Sequence, residues 1–196
     1  MIQPLSPQRP PVRRKVFVSY HRADSNEVNR FRHVFSDSFG AFLARGIGAG
    51  LPGDIINSTN TDYVMSRIRE LYLGDSTVTI VMLGNCTWSR KYVDWELQSS
   101  LRRGPTVTPN GVLGHKLPSF RVGQYPHRLN LNLLSDSDRR MGWTDCYARV
   151  IEWPRSVDDL RSAIENAYAA RTLRVGLIKN PRDRFERDRD CGHWWH

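Results

Sequence analysis

The run STVTIVMLG, Ser76 to Gly84, constrains this chain more than any other stretch. It has no polar alternation, so a strand built from it meets apolar groups on both faces. Strands of that kind occur in parallel sheets covered by helices on either side. The flanking sequence agrees. KVFVSY is a second β-branched and aromatic strand. RADSNEVNRFRHVFSDSF follows it, with Asp24 and Glu27 spaced as a helix start and Val28, Phe31, Val34, Phe35 and Phe39 on one predicted face. ARGIGAGLPGDIINSTN is glycine-rich and loop-like, with room for one short strand. TDYVMSRIRELYL repeats the helical pattern through Val64, Ile68, Leu71 and Tyr72. After the apolar run come a helix, RKYVDWELQSSLRRG, and a weaker strand, NGVLGHKL. A long polar stretch over 119–142 then shows no clear element. YARVIEW and SVDDLRSAIENAYAARTL close the pattern as strand and helix, the helix with Val157, Leu160, Ile164, Ala167 and Tyr168 on one face. Strands alternating with helices predict a mostly parallel sheet with helices on both sides.

The 196 residues suit one domain with a proper core. Prolines at 4, 7, 10 and 11 mark residues 1–13 as a flexible lead-in. The domain is expected over 14–172 and a charged extension over 173–196. No apolar run is long enough to span a bilayer, and the start lacks the apolar core of a secretory signal. Three cysteines, an odd and small number, fit free thiols in a reducing cytoplasm. The net charge of +9 favours acidic or phosphate-bearing partners. It is carried by 25 Arg against 4 Lys. These are scattered and lack the aromatic interleaving of a nucleic-acid motif, so nucleic acid is not the expected partner.

In a sheet of this type ligands bind beyond the carboxyl ends of the strands. That rule selects the loops YHRAD and GNCTWS. In the first, Tyr20 and His21 can stack on or bond a nucleotide and Arg22 can hold a phosphate; the plainer expectation is a capped loop with a partly buried His. In the second, Asn85 can contact a ribose or simply end the strand. Cys86 beside it is expected to be a structural thiol rather than a nucleophile. On the helix that follows, Val93, Leu97 and Leu101 form the apolar stripe. Asp94 and Glu96 lie about 200° apart around the axis, so they cannot act as a facing pair. Most helix carboxylates are inert, and the plain expectation is that both are solvated. Of the two, Glu96 has the more site-like surroundings, sharing its side with Tyr92, Ser99 and Ser100. Trp95 points away from the stripe and needs a second packing partner or a ligand. CGHWWH offers Cys191, His193 and His196 but no second ligand pair for a zinc site, so no metal is expected and the segment is read as a loosely ordered tail. There is no P-loop, and GIGAG is not placed as a dinucleotide fingerprint.

KVFVSYHRAD, TDYVMSRIRELYLGDSTVTIVMLGNCTWSRKYVDWEL and GVLGHKLP, in this order and spacing, resemble the TIR-like domains of the Thoeris anti-phage ThsB type. The resemblance covers roughly residues 15–160, a usual domain length. Its most specific parts are FVSYH and the block G-x-x-T-x-x-R-K-x-V-D-W-E. It implies a flavodoxin-like (TIR-like) three-layer α/β fold with a mostly parallel five-stranded sheet. It also implies cleavage of the nicotinamide–ribose bond of NAD and release of a cyclic ADP-ribose type signal that reaches an effector protein. On this resemblance the catalytic residue is Glu96. The substrate pocket takes Ser19, Tyr20, His21 and Arg22, with Asn85 and Tyr92 as further candidates. NAD is then the substrate and no cofactor is needed. A homo-oligomer and a phage-derived trigger are candidate partners, and the cytoplasm is the expected compartment. Two alternatives stand beside it: a non-catalytic TIR-like interaction module, and a nucleoside deoxyribosyltransferase-like enzyme acting on free nucleosides. His115 and Lys116, the 118–146 segment and the tail beyond about 172 depart from the family pattern.

Overall fold

The computed structural model describes residues 12–47, 60–121 and 123–192. The first eleven residues, most of the glycine-rich stretch after Ile47, and His193 and His196 lie outside the described residues.

The apolar run forms β3 (Val78–Leu83), buried at every position. It pairs in parallel with β1 (Lys15–Ser19) on one side and β4 (Gly111–Lys116) on the other. β2 (Leu43–Ile47) joins the outer side of β1, and β5 (Arg149–Ile151) the outer side of β4. The order is β2-β1-β3-β4-β5, all neighbours parallel. Helices cover both faces, as the alternating pattern predicts, and the whole is the flavodoxin-like three-layer α/β fold that the resemblance implies.

One face is covered by α1 (Ser25–Phe31) and α6 (Val157–Leu173). Phe31 and Phe35 from the first helical segment and Leu160, Ile164 and Ala167 from α6 close over Val16, Val18, Val78, Ile80 and Met82. The other face carries α3 (Lys91–Ser100) and α4 (His127–Leu131). Val93, Leu97, Leu101 and Leu129 pack there on Val81, Leu83 and Val112. α2 (Thr61–Ile68) lies beside α3, where Trp95 meets Val64, Met65 and Ile68. This is the second packing partner that Trp95 requires. Short α5 (Asp136–Arg140) begins at a capping box between Ser135 and Asp138.

Two predicted apolar faces overrun. Phe39 and Leu71 are exposed. The helices containing them widen into π-type turns over Arg32–Ser38 and Arg69–Leu73. The i→i+5 bonding there breaks the 100° phase on which those positions were assigned. The first segment then ends at Gly40, whose φ of +56° suits a residue without Cβ. The 119–142 stretch also differs from the reading, for it holds α4 and α5; each has five residues, too few to show a period. No helix among the described residues is long and apolar enough to cross a membrane.

Candidate active site

β1 ends on Ser19, in lateral register with Val81 of β3. Both side chains therefore face α3. Glu96, halfway along that helix, points back at the sheet and accepts a hydrogen bond from Ser19 Oγ at 2.5 Å. Ser19 is 0% exposed and Glu96 1%. Glu96 Oε1 has no hydrogen-bond partner among the described residues. Burial pushes the Glu96 carboxyl up to about 8, against the lowering effect of the Ser19 bond.

Neither helix acid is solvated, contrary to the plain expectation. Asp94 points the other way from Glu96, as the helical geometry requires. Asp94 Oδ1 lies 2.7 Å from Arg128 Nε in an ion pair with side-chain exposures of 6% and 1%. Arg128 carries no sequence signal: it sits in the polar stretch where an arginine is expected to meet water. It belongs to α4, which brings it against the outer side of α3.

The remaining candidates cluster unevenly. Tyr20 is buried just past the end of β1. Burial raises its phenol, with Arg32 opposing and Glu96 adding to the effect. His21 is half-buried; burial lowers its imidazole, Arg90 lowers it further, and Asp188 pulls it up. Tyr92 is raised by burial and then by Asp188, and it meets the edge of Trp95 at 5.4 Å. Asn85 Oδ1 accepts the Arg121 N–H at 2.7 Å, so its side chain ties the loop after β3 to the loop after β4. Arg22 is exposed, in a 3-10 turn that leads into α1. The structure thus joins Ser19 to Glu96 directly, sets Tyr20 beside them, and places His21 and Tyr92 near the same acid, Asp188.

Asp24 adds a feature that the sequence hides. Its spacing marks it as the cap of α1, yet it makes no side-chain capping bond. Its carboxylate instead accepts from Thr87 Oγ1 at 3.3 Å, linking the loops after β1 and β3. Burial raises it to about 6.

The cysteines overturn the free-thiol expectation. Cys86 is bonded to Cys191 with a Cα–Cα distance of 5.4 Å, and only Cys146 is free among the described residues. Of the segment read as a loose tail, Cys191 is therefore tied to the loop after β3, while residues 193–196 lie outside the described residues. No group of three or more His, Cys, Asp or Glu able to hold a metal occurs among the described residues. A cavity of about 360 Å³ lies between α5 and the turn at Val175–Leu177, lined by Trp143, Tyr147 and Ile178, and none of the candidate residues reaches it.

Residues 17–119, just over half of the chain, match the family described as Thoeris protein ThsB, TIR-like domain. None of the curated proteins compared with the chain matches it.

Proposed function

The chain belongs to the ThsB TIR-like domain family, and from that premise we propose that it is an enzyme that cleaves the nicotinamide–ribose bond of NAD, with Glu96 as its catalytic carboxylate. The observation that carries the reading is the Ser19–Glu96 pair: a fully buried carboxyl held by a strand-end hydroxyl, at the sheet edge where ligands of this fold bind.

The chemistry asks for one carboxylate. Nicotinamide leaves a cationic pyridinium as a neutral molecule, so no acid need protonate it. The ribose then carries oxocarbenium character, as in glycoside hydrolysis. Ser19 fixes Glu96 Oε2; Oε1, buried and without a hydrogen-bond partner among the described residues, is in this reading the oxygen that meets the ribose once substrate opens the site. In the resting protein the carboxyl is neutral at pH 7, since burial holds it near 8. A cationic ring arriving beside it favours the ionised form, and the carboxyl proton passes to solvent as the substrate binds. The carboxylate then faces the positive charge as it moves from ring to ribose, in a site too dry to screen it. In this reading Tyr20, His21, Asn85 and Tyr92 hold the rest of the dinucleotide.

The family also supports the wider reading: a cyclic ADP-ribose type product, made in the cytoplasm during phage infection, that reaches an effector protein by diffusion. Cyclisation needs a folded substrate and excluded water. The test is nicotinamide release from NAD by the wild type and Glu96→Gln, with free nucleosides as control substrates and mass spectrometry of the product. Loss of release in the variant is expected. Equal rates in both proteins would remove Glu96 from the mechanism, and turnover of free nucleosides in place of NAD would favour a deoxyribosyltransferase-like enzyme.

A further inference from the structure

The outer face of α3 is covered by residues 180–192, which run as an irregular strap from beneath α4 to the loop after β3. The strap has two unlike halves. The inner half is anchored in the core. Arg128, paired with Asp94, donates to Asn180 Oδ1 at 2.9 Å, to the Pro181 carbonyl at 2.6 Å and to the Asp183 carbonyl. Asp94 Oδ2 accepts the Phe185 N–H at 3.0 Å, and Trp95 Nε1 donates to the Phe185 carbonyl at 2.8 Å.

The outer half is held differently. Its side chains are mostly exposed. Asp188 accepts the Lys91 N–H at 2.8 Å and pairs with Arg90 at 3.3 Å. The Arg189 N–H reaches the Ser89 carbonyl at 2.9 Å. An ion pair of this exposure contributes little. The strong tether is the Cys86–Cys191 bond. Cys86 directly follows Asn85, and Asp188 acts on both His21 and Tyr92, so this half lies along the rim of the candidate site.

We propose that residues 186–192 are a redox-released cover on that rim, held shut by the Cys86–Cys191 disulfide and freed when a dithiol reductant opens it. The proposal rests on the reading of the Glu96 site as the place of NAD cleavage. Cys86 is 1% exposed, so the reductant thiolate attacks the more accessible Cys191 Sγ. Cys86 leaves as a thiolate and takes a proton. The second thiol of the reductant then displaces Cys191 and closes the reductant's own disulfide. Two electrons pass from the dithiol to the protein, and both cysteines end as thiols. Arg90 Nη2, 3.5 Å from Cys191 Sγ, favours the departing Cys191 thiolate. In a reducing compartment such bonds are characteristically transient and redox-sensing rather than permanent braces. After reduction the inner half stays, because the bonds from Arg128 and Trp95 and the bond to Asp94 that anchor it involve no sulfur.

The test uses the full chain, with and without dithiothreitol, beside Cys191→Ser. Hydrogen exchange should speed up by about tenfold or more at Lys91 and Arg189 after reduction and in the variant, while Phe185 stays protected. Labelling of His21 by diethyl pyrocarbonate should rise several-fold relative to the exposed His33. Nicotinamide release should rise with it. Unchanged exchange over 186–192 would show that the bond does not hold this half down. Faster exchange with unchanged His21 labelling would show that the segment covers nothing. A protein that opens in both readouts yet never cleaves NAD would leave the cover standing and remove the proposed activity.

Discussion

The carboxylate of Asp24 lies so close over Gly84 that a Cβ built on that glycine would stand 2.2 Å from Asp24 Oδ2. A side chain at position 84 would push the Asp24 carboxylate off the glycine and away from its 3.3 Å bond with Thr87 Oγ1. Gly84→Ala is expected to cost roughly 1–3 kcal/mol, the usual penalty for an overfilled site. Removing the carboxylate relieves the collision, so Asp24→Ala with Gly84→Ala should cost less than the sum of the two single changes. Thermal melts of the four proteins measure the coupling; simple additivity would mean that the overlap is not what Gly84 avoids.

Glu96 should make the protein less stable as pH rises. Burial raises its carboxyl from 4.5 in the unfolded chain to about 8 in the folded protein. Between those values the folded state holds a proton that the unfolded state lacks, so stability falls through the window and levels off above it. Glu96→Gln removes the titration. Relative to the wild type it should gain on the order of 4 kcal/mol between pH 4.5 and pH 9. Urea unfolding across that range reads the difference, and parallel curves for the two proteins would contradict it.

His115 should act with the opposite sign. It lies buried in β4 with its ring 4.6 Å from Phe31 and 5.5 Å from Trp153. Burial lowers its imidazole from 6.5 to about 4. As pH falls through that interval the unfolded state takes a proton that the folded state refuses, so stability is lost below 6.5. His115→Leu should flatten the acid limb, and it should be more stable than the wild type by about 3 kcal/mol at pH 4 relative to their difference at pH 7. Thermal melts at both pH values decide it: an equal gap at pH 4 and pH 7 would exclude His115 as the source of acid sensitivity.

Asp94 and Arg128 should each be costly to lose alone. Removing one partner leaves the other charge buried and uncompensated, which costs about 3–5 kcal/mol. Arg128→Met should also loosen residues 180–185, whose carbonyls it holds. Asp94→Leu with Arg128→Met should recover part of the loss. Urea denaturation and hydrogen exchange at Phe185 check both effects; an Arg128→Met protein within about 1 kcal/mol of the wild type would place this pair among the weak surface bridges.

The legible part of the fold was the part written in local patterns. STVTIVMLG announced a strand buried on both faces, and Val93, Leu97 and Leu101 announced the buried side of α3. Helical phase alone separated Asp94 from Glu96, and the structure sends them to Arg128 and Ser19. What the pattern could not show was the covering of the helix's other faces. Asp94, Trp95 and Glu96 leave water because of Arg128, Phe185, Met65 and Ser19, all remote in sequence. Asp24 misled for a related reason: its local spacing fits a cap, but Thr87 offers its carboxylate another partner. The pairing of Cys86 with Cys191 had no local signature at all.

That disulfide joins positions separated by 105 residues, and the chain between them contains β4, β5 and α6. In covalent terms the second half of the molecule is a closed ring, with the first half hanging from it at Cys86. Closing a ring of this size removes about 4–5 kcal/mol of freedom from the unfolded chain in the chain-entropy account. The exposed turn at Gly104–Val107 lies within the ring. A single cut there would open the circle without dividing the molecule: under denaturing conditions the piece carrying β1, β2 and β3 and the piece carrying β4 and β5 would migrate as one species until a reductant parted them.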